Sequence, residues 1–181
     1  MRRFALVLVL TFIATVLALP ALAQNVQFPK IVTSDLNGRK LSFPKSLPGD
    51  RSLVLIAFKR EQQADLDVWI EKFGLKKADA PAWIEMPVVA NYGSVWRAFL
   101  DNAMRSGIVT KEARARVFTV YTRPAEFREK LRFPTDAQVY VLVVSRSGKI
   151  LARADGKFSD AKAGLLRRAL LPGQIKSRRS D

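Results

Sequence analysis

Two short runs constrain this chain more than anything else in it: Ser52 to Phe58, "SLVLIAF", and Val139 to Val144, "VYVLVV". Each is continuously apolar and ends against charge, the first between Asp50-Arg51 and Lys59-Arg60. Strands covered on both faces have this pattern, because no side of them meets water. After the first run the period changes. Leu66, Trp69, Ile70 and Phe73 fall at i, i+3, i+4 and i+7, the stripe of an amphipathic helix. Glu61, Asp65 and Asp67 lie in its first half, where carboxylates favour the helix dipole, and Gly74 suits its end. The spacing predicts a helix over Glu61 to Phe73.

The other elements follow from the same two periods. "LNGRKLSF", Leu36 to Phe43, reads as an Asn-Gly turn and a first strand, with residues 24–34 as a lead-in. Ala82 to Ala90 reads as a strand in which Pro87 implies an edge or a bulge. Ser94 to Arg105 reads as a helix with Val95, Trp96, Phe99, Leu100, Ala103 and Met104 on one stripe and Arg97, Asp101, Asn102 and Arg105 off it. Val117 to Tyr121 is a strand, and Pro124 opens a short helix carrying Phe127 and Leu131. Ile150 to Ala154 returns as hairpin partner to Val139–Val144 around Gly148. Ser159 caps a last helix striped by Leu165, Leu166, Ala169 and Leu170. Alternating strands and helices make an α/β domain around a mixed sheet.

Both ends differ from the middle. Met1 to Ala23 has Arg2 and Arg3, then the apolar stretch Phe4 to Leu19, then Pro20 and Ala21-Leu22-Ala23. That is the layout of a secretory signal peptide cleaved before Gln24. An uncleaved anchor is the competing reading, although the stretch is shorter than the roughly 20 residues a span needs. The expected division is 1–23 signal, 24–171 domain and 172–181 basic disordered tail. The expected location is the periplasm, with membrane association open.

The 181 residues include no cysteine and no histidine. Thiol–disulfide exchange needs a thiolate, so this chain cannot perform it alone. Ser-His-Asp and Cys-His triads cannot be assembled, and structural zinc sites lose their usual ligands. No catalytic residue, metal or cofactor is expected. The net charge is +15. A balance this basic attracts anionic partners, and export makes nucleic acid a poor candidate, leaving membrane surfaces or acidic proteins. Solvation of the surface is the competing reading of the same charge.

"LNGRKLSFPKSLPGDRSLVLIAF" resembles the opening of redoxin and thioredoxin-like domains, and "VYVLVVSRSGKILARADG", Val139 to Gly156, resembles their closing hairpin. With the Trp69 helix and "EMPVV" at Glu85 to Val89, the chain looks most like the family of the mitochondrial ATP synthase assembly factor called ATPase complex subunit 10. The resemblance implies a thioredoxin-like three-layer sandwich with a central mixed β-sheet and an inserted helix. It also implies action by binding a membrane subunit. The departures are specific. Where thioredoxins carry CxxC this chain has Lys59-Arg60-Glu61-Gln62-Gln63, and no close counterpart of their cis-proline is expected at Pro134.

Candidate partner-binding residues are therefore Lys59, Arg60, Glu61, Gln62 and Gln63, at the carboxyl end of a strand where ligands gather, and Trp96, Arg97 and Arg105 on the inserted helix. Against them stand a solvated turn and an ordinary core stripe. Asp65, Asp67 and Glu85 are the carboxylates available for acid–base work, but Asp65 and Asp67 do not share a helix face. Basic stretches at Lys111, Arg114 and Arg116, at Arg128, Lys130 and Arg132, and at Lys176, Arg178 and Arg179 suit an anionic lipid surface. The leading expectation is a redox-inactive envelope binding or assembly module. A non-thiol enzyme, hydrolase-like or a peroxidase relic, and an anionic-membrane-surface binder are the alternatives.

Overall fold

The computed structural model describes residues 26–171. The expected signal peptide and the tail 172–181 lie outside the described residues. Among the described residues no helix is long and apolar enough to cross a membrane.

The chain opens with a hairpin of β1 (Ile31–Ser34) and β2 (Lys40–Phe43). Asp35 builds its turn by accepting the N–H groups of Asn37 and Arg39, both at 2.9 Å, while Gly38 takes the positive φ the turn requires. The lead-in reading of residues 24–34 therefore missed β1. Its four residues alternate half-buried and exposed, too short a pattern to stand out without its partner.

The main sheet has the order β5-β4-β3-β6-β7. It comprises β3 (Arg51–Ala57), β4 (Trp83–Ala90), β5 (Val120–Thr122), β6 (Tyr140–Ser145) and β7 (Ile150–Asp155). The two apolar runs become its centre: β3 pairs antiparallel with β6, and parallel with β4 on its other side. Alternation along β3 sends Leu53 and Leu55 to one face and Val54 and Ile56 to the other, all fully buried. Each such side chain gains roughly 1.5–3 kcal/mol from leaving water. On the first face lie α1 (Gln63–Phe73) and α5 (Asp160–Leu170), with Leu66, Trp69, Ala163 and Leu166 inward. On the second lie α4 (Pro124–Lys130), through Phe127, and Phe43 of the hairpin. The Trp69 indole N–H donates to the Gly156 carbonyl at 2.9 Å, tying α1 to the turn before α5.

Pro87 does not mark an edge. β4 lies between β3 and β5. The Glu85 N–H donates to Arg116 O and Glu85 O accepts from the Phe118 N–H, so residues of that parity bond toward β5. Residue 87 shares the parity, and the ladder to β5 resumes only at Val88 opposite Val120. The missing N–H falls in that gap, which is why the sheet tolerates the proline. The last residues expected in β5 are correct, but Val117 and Phe118 make isolated bridges and the strand begins at Val120. The cis peptide among the described residues is Phe43–Pro44, not one at Pro134.

Between β4 and α4 the chain inserts α2 (Ser94–Gly107), α3 (Lys111–Arg114) and β5. The insertion extends a β-α-β, β-β-α core by an extra edge strand as well as by helix.

Candidate functional site

The turn after β3 was the first candidate surface. A single 3₁₀ turn, Arg60–Gln62, precedes α1 here, so the regular helix starts two residues later than its sequence spacing predicts. Gln62 explains the delay. Its Oε1 accepts the N–H groups of Phe58 at 2.8 Å and Lys59 at 3.3 Å, and its Nε2 donates to Asp136 O at 2.6 Å. It is 5% exposed. Gln62 is thus a buried brace between β3 and the loop before β6, not a surface group, and the open polar patch expected here is correspondingly smaller. Lys59 Nζ pairs with Asp136 at 3.5 Å. Arg60 and Glu61 remain exposed. Phe58 packs edge-on to Phe127, Phe133 and Tyr140, at ring separations of 6.3, 6.2 and 6.2 Å.

Gln63 leads away from that turn. Its Nε2 lies 3.1 Å from Asp67 Oδ1 and 3.4 Å from Glu85 Oε2, so one amide bridges two carboxylates. Burial raises the Glu85 pKa above the usual carboxylate range; the Gln63 hydrogen bond opposes the shift, and the Asp67 charge adds to it. The structure therefore joins Asp67 to Glu85 and gives Asp65 no part in the pair. Among the described residues no group of three or more His, Cys, Asp or Glu side chains could hold a metal ion.

The inserted helix departs furthest from an ordinary packed helix. None of the 14 residues of α2 is buried. Of its apolar stripe, Leu100 and Met104 turn partly inward, whereas Val95 is 84% exposed, Phe99 64% and Trp96 39%. Tyr92, just before the helix, is 75% exposed. The rings pack on one another: Tyr92 to Trp96 at 6.1 Å edge-on, Trp96 to Phe99 stacked at 5.7 Å.

Polar residues that lie off the apolar stripe do the anchoring. The Tyr121 hydroxyl of β5 donates to Asp101 Oδ1 at 2.5 Å, and Arg105 Nε donates to Leu36 O at 2.8 Å. Arg105 is therefore a strut between α2 and the hairpin. The guanidinium of Arg97 sits 5.7 Å from the Tyr121 ring centre. Of the residues nominated on this helix, Trp96 and Arg97 stay on the outer surface. Tyr92, Tyr121 and Asp101 escaped sequence reasoning, because nothing local marks a tyrosine in a three-residue strand as a helix anchor.

A β-α-β unit and a β-β-α unit share one mixed sheet, with α1 and α5 on one face and α4 on the other. The fold is thioredoxin-like. BsSco, a member of the Sco family of cytochrome c oxidase assembly proteins, superposes with a TM-score of 0.54 at 14% identity, covering 81% of this chain and 95% of that one. A putative electron transport protein from Aquifex aeolicus superposes at 0.53 and 15% identity, covering 81% and 95%. The exposed lipoprotein thioredoxin of Streptococcus pneumoniae gives 0.51 at 11% identity, covering 78% and 98%. No protein-family model and no curated protein sequence matches this chain. Similarity at this level concerns the fold, and no thiol exists here to carry redox chemistry.

Proposed function

We propose that this protein is an extracytoplasmic binding module on a thioredoxin-like scaffold, serving the assembly of an envelope protein or membrane complex without thiol chemistry. The observation that carries the reading is α2. A helix inserted into the scaffold, with Tyr92 just before it, leaves Tyr92, Val95 and Phe99 largely in water and Trp96 partly so, although the chain has a well-filled core to put them in. Burying one such ring fully is worth roughly 1.5–3 kcal/mol. A contiguous aromatic face left uncovered is the signature of a surface that something else covers. The signal-like N-terminus supports the compartment, and the resemblance to BsSco, whose own family assembles an oxidase, supports the role.

A second reading is favoured by the same helix. Trp and Phe on one side with arginines beside them suit the interface of an anionic bilayer, and a net charge of +15 adds long-range attraction. In this reading the membrane itself covers α2.

One experiment separates them. A photo-crosslinking amino acid is placed at Phe99 in the full chain, and crosslinks are formed in intact cells. The protein-partner reading expects one dominant envelope protein, lost when Trp96→Ser is added and kept in Lys59→Gln. Lipid crosslinks alone, with co-sedimentation on phosphatidylglycerol vesicles that salt abolishes, would instead establish the membrane reading. Crosslinks to neither would sink the proposal.

A further inference from the structure

A cleft of about 370 Å³ opens at the N-terminal ends of parallel strands β3 and β4, away from the Lys59 turn at their carboxyl ends. That volume lies within the range of small-molecule sites. Its rim carries three cations from three separate segments: Arg39 after the hairpin turn, Lys77 from the loop before β4, and Arg116 from the segment before β5. No acidic residue lines it, although Asp79 belongs to the same loop as Lys77. Apolar side chains share its walls with polar groups: Leu41, Pro48 and Pro81 line it, together with the mostly buried Trp83 and Phe118.

Two of these cations are held in place by neighbouring side chains. The Arg116 guanidinium lies 5.0 Å from the centre of the Trp83 ring, and Trp83 is fixed in turn by its indole N–H donating to Leu75 O at 2.9 Å. Arg39 Nε donates to Asp35 Oδ2 at 3.2 Å. The Asp35 side chain is 1% exposed and also accepts two backbone N–H groups, so it orients Arg39 from behind without lining the cleft. Among the described residues, Lys77 and Arg116 make no ion pair, and the terminal nitrogens of Arg39 and Arg116 donate to no protein acceptor. Planar guanidinium groups pre-positioned by an aromatic face or a buried carboxylate match oxyanions bidentately and lose little freedom on doing so.

We propose that this cleft binds a small organic oxyanion, a phosphate or carboxylate group carried on an apolar body. The charged group meets Arg39, Lys77 and Arg116, and the apolar part lies against Leu41 and Pro48. Both halves are required, because three cations alone attract any anion and the apolar walls alone attract none. The site is separate from the α2 face, so loss of one leaves the other intact.

Phenyl phosphate is the probe, with inorganic phosphate and phenol as its separated halves, titrated into uniformly ¹⁵N-labelled protein at 150 mM salt. The readout is the Trp83 indole resonance, assigned by Trp83→Phe. Phenyl phosphate is expected to move it saturably, and each half to act at least about tenfold more weakly, since a charge-assisted hydrogen bond or a buried ring is each worth about that factor. Arg116→Gln and Lys77→Gln should each weaken binding by about tenfold. The triple change Lys130→Gln, Lys149→Gln and Lys157→Gln, all exposed and outside the cleft, should leave it unchanged. An unsaturable shift, or equal loss in the two sets of variants, would overturn the proposal in favour of diffuse attraction to a basic surface. Equal affinity for inorganic phosphate would overturn the part assigned to the apolar walls. Circular dichroism of each variant separates lost binding from lost fold.

Discussion

The hydroxyl of Tyr121 in β5 donates to the carboxylate of Asp101 in α2 across 2.5 Å, and this contact joins the inserted helix to the edge of the sheet. Both residues belong to the insertion, so the helix is fastened by its own edge strand. Tyr121→Phe removes the donor and leaves a half-buried carboxylate without its partner. The expected cost is about 1.5 kcal/mol, the worth of a hydrogen bond to a charged group. Hydrogen exchange should quicken in α2 and stay unchanged in β3 and β6.

The same phenol carries a pH dependence. Burial is the largest cause of its raised pKa, followed by the hydrogen bond and charge of Asp101. A folded pKa above the unfolded one, roughly 10, means that the folded state keeps the proton longer. The stabilisation is complete below the unfolded value and declines as pH rises through the window between the two. Difference absorbance at 295 nm should show a late-titrating phenol that Tyr121→Phe deletes.

Glu85→Gln should raise stability at neutral pH, because the wild-type carboxylate must ionise in a half-buried position beside Asp67. The sign follows from the raised folded pKa. The wild type takes up its proton earlier in the folded state and gains stability as pH falls toward the unfolded value. The advantage of the variant should therefore shrink on acidification, and urea melts at neutral and acidic pH test this. An advantage that grew as pH fell would show that Glu85 ionises easily where it is.

Gln62→Leu should cost about 3 kcal/mol, since it strands two backbone N–H groups just after β3 and the Asp136 carbonyl in the loop before β6. Gln62→Glu keeps the acceptor but sets a buried carboxylate against the Asp136 carbonyl, so its cost should fall on acidification, when the protonated carboxyl can donate there, while that of Gln62→Leu should not. Urea denaturation of the pair at neutral and acidic pH tests this, and costs that both ignore pH would mean that the brace does not act through these bonds.

Phe99→Ser should change stability by no more than about 0.5 kcal/mol, as exposed substitutions do, and Trp96→Ser, at a ring more than half covered, by about 1 kcal/mol. The same substitutions are expected to abolish partner capture. A loss of several kcal/mol would show that the aromatic stack supports the fold, and the docking role would lose its basis.

The central layers of the fold were legible in the residues themselves. The runs at Ser52–Phe58 and Val139–Val144 become the two most enclosed strands, and the Leu66, Trp69, Ile70, Phe73 stripe is buried as its spacing predicts. Those patterns repeat at the period of one element, and burial on two faces leaves no polar position to confuse them. β1 and the interior place of β4 were not legible. A four-residue strand has too little period, and Pro87 is excluded from a central strand only when its missing N–H faces a continuous ladder.

The candidate site divides along the same line. That Lys59 to Gln63 replace a redox motif, and that no cysteine or histidine exists to support thiol, triad or zinc chemistry, follows from residue identity alone. That Gln62 is a brace, that Arg105 is a strut and that the rings of α2 face water required the assembled protein. A helical wheel ranks faces by polarity, so it groups Val95, Trp96 and Phe99 on one stripe, core or partner groove, with Asp101 and Arg105 off it. The neighbour decides which: β5 and the hairpin offer α2 a phenolic donor and a backbone carbonyl, and Asp101 and Arg105 satisfy them. Local sequence determines what a segment can bury; the polar groups of its tertiary neighbours determine which face it must present.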